Sequence, residues 1–288
     1  AVTSPRAGSE RGASASAPNV SAYRALVEQD LRLATVGYRL ASANAPFCER
    51  KARNTAMVLH DVAQYADTTT AFAAFKFPNP IAVAAVVTGG PADLAGIKSG
   101  DGIQAIGDSS LNLDDQLEQA PTYERIAEVN DRITQSLEKG HSVQLRLLRG
   151  ASPTIAALAP PLVCASKFWV DTRNKLDAGA DGNQVRVTTG LMLFASDDDE
   201  LAAVVAHELS HNILGHRDRL NVKRGTKAVL ATEIEADRLS IWLMANAGYD
   251  PVAALRFAER YGRKTGLGIF SDGTHLRWKN RVKVMQAE

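Results

Sequence analysis

Apolar residues recur at helical spacing from Tyr23 through Leu26, Val27, Leu31, Leu33, Val36, Tyr38 and Leu40. This predicts a long amphipathic helix, which Pro46 ends. A second, shorter helical stretch is expected near residues 55–65. The period then changes. Pro78-Asn79-Pro80 signals a turn, and residues 81–87 form a strand-length apolar run. A helix is expected over residues 122–139. In the strand that follows, over residues 141–148, Val143, Leu145 and Leu147 alternate with Ser142, Gln144 and Arg146. Past Pro160-Pro161, a short strand is expected at 168–171, and the alternation over 184–188 suits an edge or half-buried strand. An acidic run, Ser196-Asp197-Asp198-Asp199-Glu200, then opens a helix over 201–214, with Asp197 and Glu200 at capping-box spacing. The other reading of that run is a calcium site. Residues 1–19 are rich in Ala, Ser, Gly and Pro, lack periodicity and read as a disordered arm.

Composition narrows the function classes. The chain has 288 residues, 45% of them hydrophobic, enough for a substantial core in one large domain or two ordinary ones. Its 33 basic and 32 acidic residues nearly cancel, so no global field draws it to nucleic acid or an anionic membrane. No apolar run approaches the roughly 18 residues that span a bilayer. The first residue is Ala and no basic-then-apolar leader is present, so either a signal peptide has been removed or the numbering starts inside a longer chain. Cys48 and Cys164 are the two cysteines, and neither lies in a C-x-x-C pair. They are either buried thiols or one long-range disulfide.

The chemistry concentrates at His207-Glu208-Leu209-Ser210-His211. Histidines four apart share one face of a helix about one turn apart, so both can ligate one Zn²⁺. Glu208, next to His207, is placed to act as a general base. Upstream, Leu201, Val204 and Val205 give the helix a face to bury. A second helical segment, Thr232-Glu233-Ile234-Glu235-Ala236-Asp237, offers a third ligand. Glu233 and Asp237 share a face, so Glu233 can bind metal while Asp237 accepts a hydrogen bond from a ligand histidine. Glu235 is the alternative third ligand, and without the upstream motif the segment is simply a solvated acidic face. His216 lies five residues past His211, off the metal-facing stripe, and reads as a structural or surface residue, as do His60 and His141.

These stretches, with the Ala247-Gly248-Tyr249-Asp250-Pro251 turn and the tail residues Thr274-His275 and Arg281, resemble the gluzincin peptidases of the HtpX, BepA and CAAX-prenyl-protease type. The resemblance covers residues 162–288. It implies one Zn²⁺ per chain held by His207, His211 and Glu233, with Glu208 as the catalytic base. It also implies a tail histidine near the metal and an active-site arginine, His275 and Arg281, either of which would stabilise the oxyanion. Leu276 departs from the proline usual there. The absence of a spanning segment places the chain with the soluble members.

Residues 89–107 resemble part of a PDZ domain: a small-residue turn, Pro91-Ala92, a short helix ending Ala95-Gly96-Ile97, then Gly100-Asp101-Gly102-Ile103. The other reading is an unrelated β-rich insertion. The implied fold is α+β: a mostly helical zincin-type catalytic domain with a small edge sheet, plus the inserted β-rich PDZ-like domain. The division is a disordered arm at 1–19, N-terminal helices packing on the catalytic domain at 20–69, the PDZ-like domain at 70–158 and the peptidase domain at 159–288.

The expected activity is zinc-dependent endopeptidase hydrolysis of protein or peptide substrates. Substrate would pair along residues 184–188, and the PDZ-like domain would bind a peptide segment or terminus to recruit substrate or gate access. The competing reading is a binding protein with a structural zinc site, which leaves Glu208 without a purpose. If the N-terminal helices pack on the catalytic part, a Cys48–Cys164 bridge would staple the base of the insertion. Such a bridge persists in an oxidising compartment, so a periplasmic or otherwise exported protein is expected, soluble or peripherally membrane-associated.

Overall fold

A computed structural model describes residues 20–113, 121–223, 225–266 and 278–288. The elements run α1 (Val20–Ala43), β1 (Lys51–Arg53), β2 (Met57–Asp61), α2 (Thr68–Phe75), β3 (Ile81–Val86), α3 (Pro91–Leu94), β4 (Gly102–Ile106) and β5 (Ser109–Ser110). Then follow α4 (Glu124–Gly140), β6 (Val143–Arg149), β7 (Ser152–Leu158), β8 (Leu162–Cys164), β9 (Lys167–Asp171), β10 (Ala178–Ala180) and β11 (Gln184–Thr188). The chain closes with α5 (Thr189–Phe194), α6 (Asp198–Ile213), α7 (His216–Val222), α8 (Thr226–Asn246), α9 (Val252–Thr265) and α10 (Trp278–Ala287). Helices are mixed with mainly antiparallel strands up to β11, and α5–α10 then follow with no strand between them, an α+β fold.

α1 touches both halves of the molecule. Near its start, Tyr23 and Val27 pack beside Tyr65, Phe72 and Phe75. Farther along, Leu33, Val36 and Leu40 are almost fully buried among α6, α8 and α9 side chains. Polar residues on it and just past its end reach across the chain. Arg32 donates to Asp198 at 2.7 Å and to the Met192 carbonyl at 2.9 Å, and Asn44 donates to the Leu243 carbonyl at 3.0 Å. At Gly37 a Cβ would lie 2.5 Å from the Phe168 ring, so only glycine lets β9 approach α1 this closely.

The middle of the chain builds a sheet in the order β2-β3-β4-β6-β7, with β5 on β4. Ile81, Val83, Ile103, Leu145 and Leu147 fill one face and meet Ile126, Val129, Ile133 and Leu137 of α4. Those four recur every three or four residues, the spacing that gives a helix one apolar stripe. Residues 57–61, expected within a helical stretch, are strand instead. Met57 pairs opposite Val86 and Asp61 opposite Ile81, so the ladder with β3 overrides the local pattern. A 3-10 turn over Val62–Gln64 follows, capped by Asp61.

β1 and β8 pair antiparallel, Lys51 opposite Cys164, where the chain enters and leaves this sheet. Cys48 and Cys164 are joined there by a disulfide with Cα atoms 5.4 Å apart. A smaller sheet runs β10-β11-β9. Residues 184–188, expected to offer an edge to substrate, are therefore central: β11 pairs antiparallel with β10 and parallel with β9. Both of its main-chain edges are occupied. The outer edges of the sheet, on β10 and on β9, pair with no described strand, and that of β10 lies beside α6.

The disulfide spans 116 residues of sequence. Closing a loop of that order stabilises by up to about 4–5 kcal/mol in the chain-entropy model. Replacing both cysteines by alanine should lower the unfolding free energy from urea titration by about 2–5 kcal/mol and so the midpoint, and adding reductant to the native protein should do the same. An unchanged midpoint in both cases would refute the assignment of that stability to the bridge.

Candidate metal centre

α6 begins with its own cap. Asp197 accepts from the Glu200 backbone N–H at 2.8 Å, and the Glu200 carboxylate returns to the Ser196 N–H at 2.9 Å. The acidic run is thus a helix start. Its remaining carboxylates take separate partners, Asp198 on Arg32 and Asp199 on the Asp250 N–H, and they do not converge as a calcium site requires. From Glu200 to Ser210 every residue of α6 is buried. The helix packs against α1, α8, α9, β10 and β11. Such a helix can carry His207, Glu208 and His211 only where neighbouring elements answer their polar atoms.

α8 supplies that answer. His207 Nε2 and His211 Nε2 lie 3.2 Å apart. The Glu233 carboxylate sits 3.5 Å from each of them. Potential ligand atoms of His207, His211 and Glu233 all fall within 4.8 Å of one another. Two imidazole nitrogens and one carboxylate oxygen are a donor set that suits Zn²⁺, with a fourth position left for chemistry. Glu208, 3% exposed, lies in the same buried region. Burial pushes its carboxyl up to about 7; Glu233 raises it too, and His207 opposes the shift. A carboxylate in that range is suited to take and return a proton near neutral pH. Burial pushes His211 down to about 3, which keeps the ring neutral and its lone pair available.

Asp237, one turn beyond Glu233, is fully buried, and its Oδ1 lies 3.1 Å from His207 Nδ1. Arg281 Nη2 lies 3.2 Å from the same nitrogen. A guanidinium only donates, so these two contacts are alternatives for His207. A metal taken at Nε2 would leave the ring proton on Nδ1, with Asp237 as its acceptor.

Arg281, expected as an oxyanion partner, sits elsewhere in the arrangement. It is 1% exposed, its Nε donates to Asp237 Oδ2 at 2.8 Å and its Nη2 donates to Asp237 Oδ1. With Nε and Nη2 on Asp237 it fixes that carboxylate, while its Nη1, also buried, meets no hydrogen-bond partner among the described residues. His275 lies outside the described residues. Glu235, the alternative third ligand, points away from the cluster and binds His216 and Arg219.

Sequence reasoning missed His216. It is 1% exposed, and its Nδ1 lies 2.9 Å from His211 Nδ1. Helical spacing could not find it, because α6 has ended by then. Gly215, at φ 61°, reverses the chain so that α7 starts with His216 against α6. The usable signal was a glycine stop two residues past the last helical position, immediately followed by a histidine.

Residues 165–231 match the model of Peptidase family M48. This stretch holds α6, with His207, Glu208 and His211, and the start of α8; Glu233 lies just past its end. The chain is also similar to the mitochondrial metalloendopeptidase OMA1 of Arabidopsis thaliana, at 29% identity over 131 residues. That alignment covers 35% of this chain and 27% of OMA1, so the chain spans about a quarter of that relative's length.

The Asp237–Arg281 pair is buried on both sides, each side chain 1% exposed. Removing one partner leaves the other charged and uncompensated, at a cost of about 3–5 kcal/mol. Arg281→Met and Asp237→Leu should each destabilise the metal-free protein by that amount in urea. The double variant should lose clearly less than the sum. Additive losses would show that the two charges do not depend on each other.

Proposed function

We propose that this chain is a zinc-dependent endopeptidase that hydrolyses peptide bonds in protein substrates, of the HtpX and BepA type. The observation that carries the reading is the convergence of His207, His211 and Glu233 beside a buried Glu208. Zinc held by those three residues would supply Lewis-acid polarisation of the scissile carbonyl and bring the pKa of a water toward about 7. Glu208 takes the proton of the attacking water and passes it to the leaving amine. Asp237 holds His207 in the tautomer that presents Nε2, and Arg281 holds Asp237. The open edge of β10, beside α6, aligns an extended substrate through main-chain hydrogen bonds. His275 is the proposed partner of the oxyanion.

The sheet between the two cysteines is the proposed PDZ-like unit, recruiting a peptide segment or chain terminus or gating access to the site. Its support is the Gly90-Pro91-Ala92 turn, which opens α3, and the Gly100-Asp101-Gly102-Ile103 turn, which opens β4. The proposed division sets this unit apart from a peptidase domain that includes α1. The disulfide favours an oxidising, extracytoplasmic location. Among the described residues no helix is long and apolar enough to cross a membrane.

Glu208→Gln removes the base and keeps the ligands. Its turnover of casein or a quenched peptide should fall by about 100- to 10,000-fold, with zinc content unchanged at one per chain. Hydrolysis at the native rate in that variant would remove Glu208 from the mechanism. Loss of zinc with the activity would make it a ligand instead.

A further inference from the structure

The two ligand histidines converge through their Nε2 atoms, so each turns its Nδ1 outward to something else. For His207 that partner is the Asp237 carboxylate. For His211 it is the ring of His216, Nδ1 to Nδ1 at 2.9 Å. The other nitrogen of His216, Nε2, lies 3.0 Å from Glu235 Oε2. Arg219 Nη1 in turn donates to Glu235 Oε2 at 2.5 Å.

The proton positions along this chain follow from one condition. If His211 gives its Nε2 lone pair to a metal, its proton is on Nδ1 and must be donated. His216 Nδ1 is then the acceptor, which places the His216 proton on Nε2, where Glu235 accepts it. Glu235 carries its charge paired with Arg219, so the terminal acceptor stays fixed. Every donor in the line meets an acceptor, and only one tautomer of each ring allows it. Glu235 leaves α8 on a different face from Glu233 and Asp237, and the imidazole of His216 spans the gap that a direct carboxylate contact fills for His207.

We propose that His216 is a positioning residue for the metal site: it locks His211 in the Nε2-presenting tautomer, backed by Glu235 and Arg219. This inference rests on the zinc-site reading above. A histidine buried only for packing would make a different prediction, because its replacement by an apolar residue of similar bulk would leave metal affinity alone.

Zinc affinity, measured by competition with a chromophoric chelator on the full chain, separates the two. Outer partners of ligand histidines typically contribute 10- to 100-fold to metal affinity. His216→Leu should therefore weaken zinc binding by about that factor, while His216→Asn, whose amide oxygen can accept from His211, should recover most of it. Glu235→Gln, at a half-exposed position that does not threaten folding, should weaken binding in the same direction by a smaller factor. Urea unfolding of the metal-free variants reports any folding loss separately, and the visible spectrum of the cobalt-loaded protein should change for His216→Leu and not for His216→Asn. If the native protein binds zinc tightly and His216→Leu and Glu235→Gln bind it within twofold of native, the positioning role is overturned and the zinc site stands. If the native protein binds no zinc, the zinc-site reading itself falls, and this inference with it.

Discussion

Burial of α6 is the constraint from which the site follows. A helix covered by α1, α8, α9 and the small sheet cannot leave a polar side chain to water, so its two histidines and Glu208 have to be answered from outside the helix. The answers come from α8 through Glu233 and Asp237, the latter held by Arg281 of α10, and from the start of α7 through His216. α8 is held to the core by Leu243 and Met244, and α10 by Met285. The core that excludes solvent is therefore also what fixes the ligand geometry, and the polar groups are ordered because they have no solvated alternative.

The same logic ranks the acidic residues of α8. Glu233 and Asp237 face inward and take up the site, one toward the two Nε2 atoms and one toward the back of His207. Glu235 faces outward enough to be half-exposed, and it meets Arg219 at the surface. One turn and a half of helix thus presents three carboxylates to three different tasks, sorted by rotation about the helix axis alone.

That sorting is why the His207, His211 and Glu233 cluster was legible in the sequence. Periodicity of 3.6 predicts who shares a face, and the His207–His211 and Glu233–Asp237 pairs need nothing more. The long first helix, α4 and the alternation in β6 were legible for the same reason. What the sequence hid were relations between segments. Residues 57–61 became a strand because β3 lay beside them, and residues 184–188 became central because β9 and β10 flanked them. Arg281 read as a substrate-facing charge, yet its environment is set by Asp237, 44 positions away. The contact of His216 with His211 was hidden because spacing rules stop where Gly215 turns the chain.

α1 carries a further consequence, for the order in which the molecule can form. It is the first described element to leave the ribosome, yet Arg32 finds Asp198 across 166 positions and Asn44 finds Leu243 across 199. Until α6 and α8 exist, the apolar stripe of Leu33, Val36 and Leu40 has no cover. Loop-closure entropy delays such distant contacts, and folding slows as their share grows. The intervening sheet has its own core and can form first. Its two ends meet at β1 and β8, so forming it brings the start of the chain to the point where the remainder begins. The sheet is then a splint that shortens the search, cutting the length of chain that separates α1 from α6 and α8.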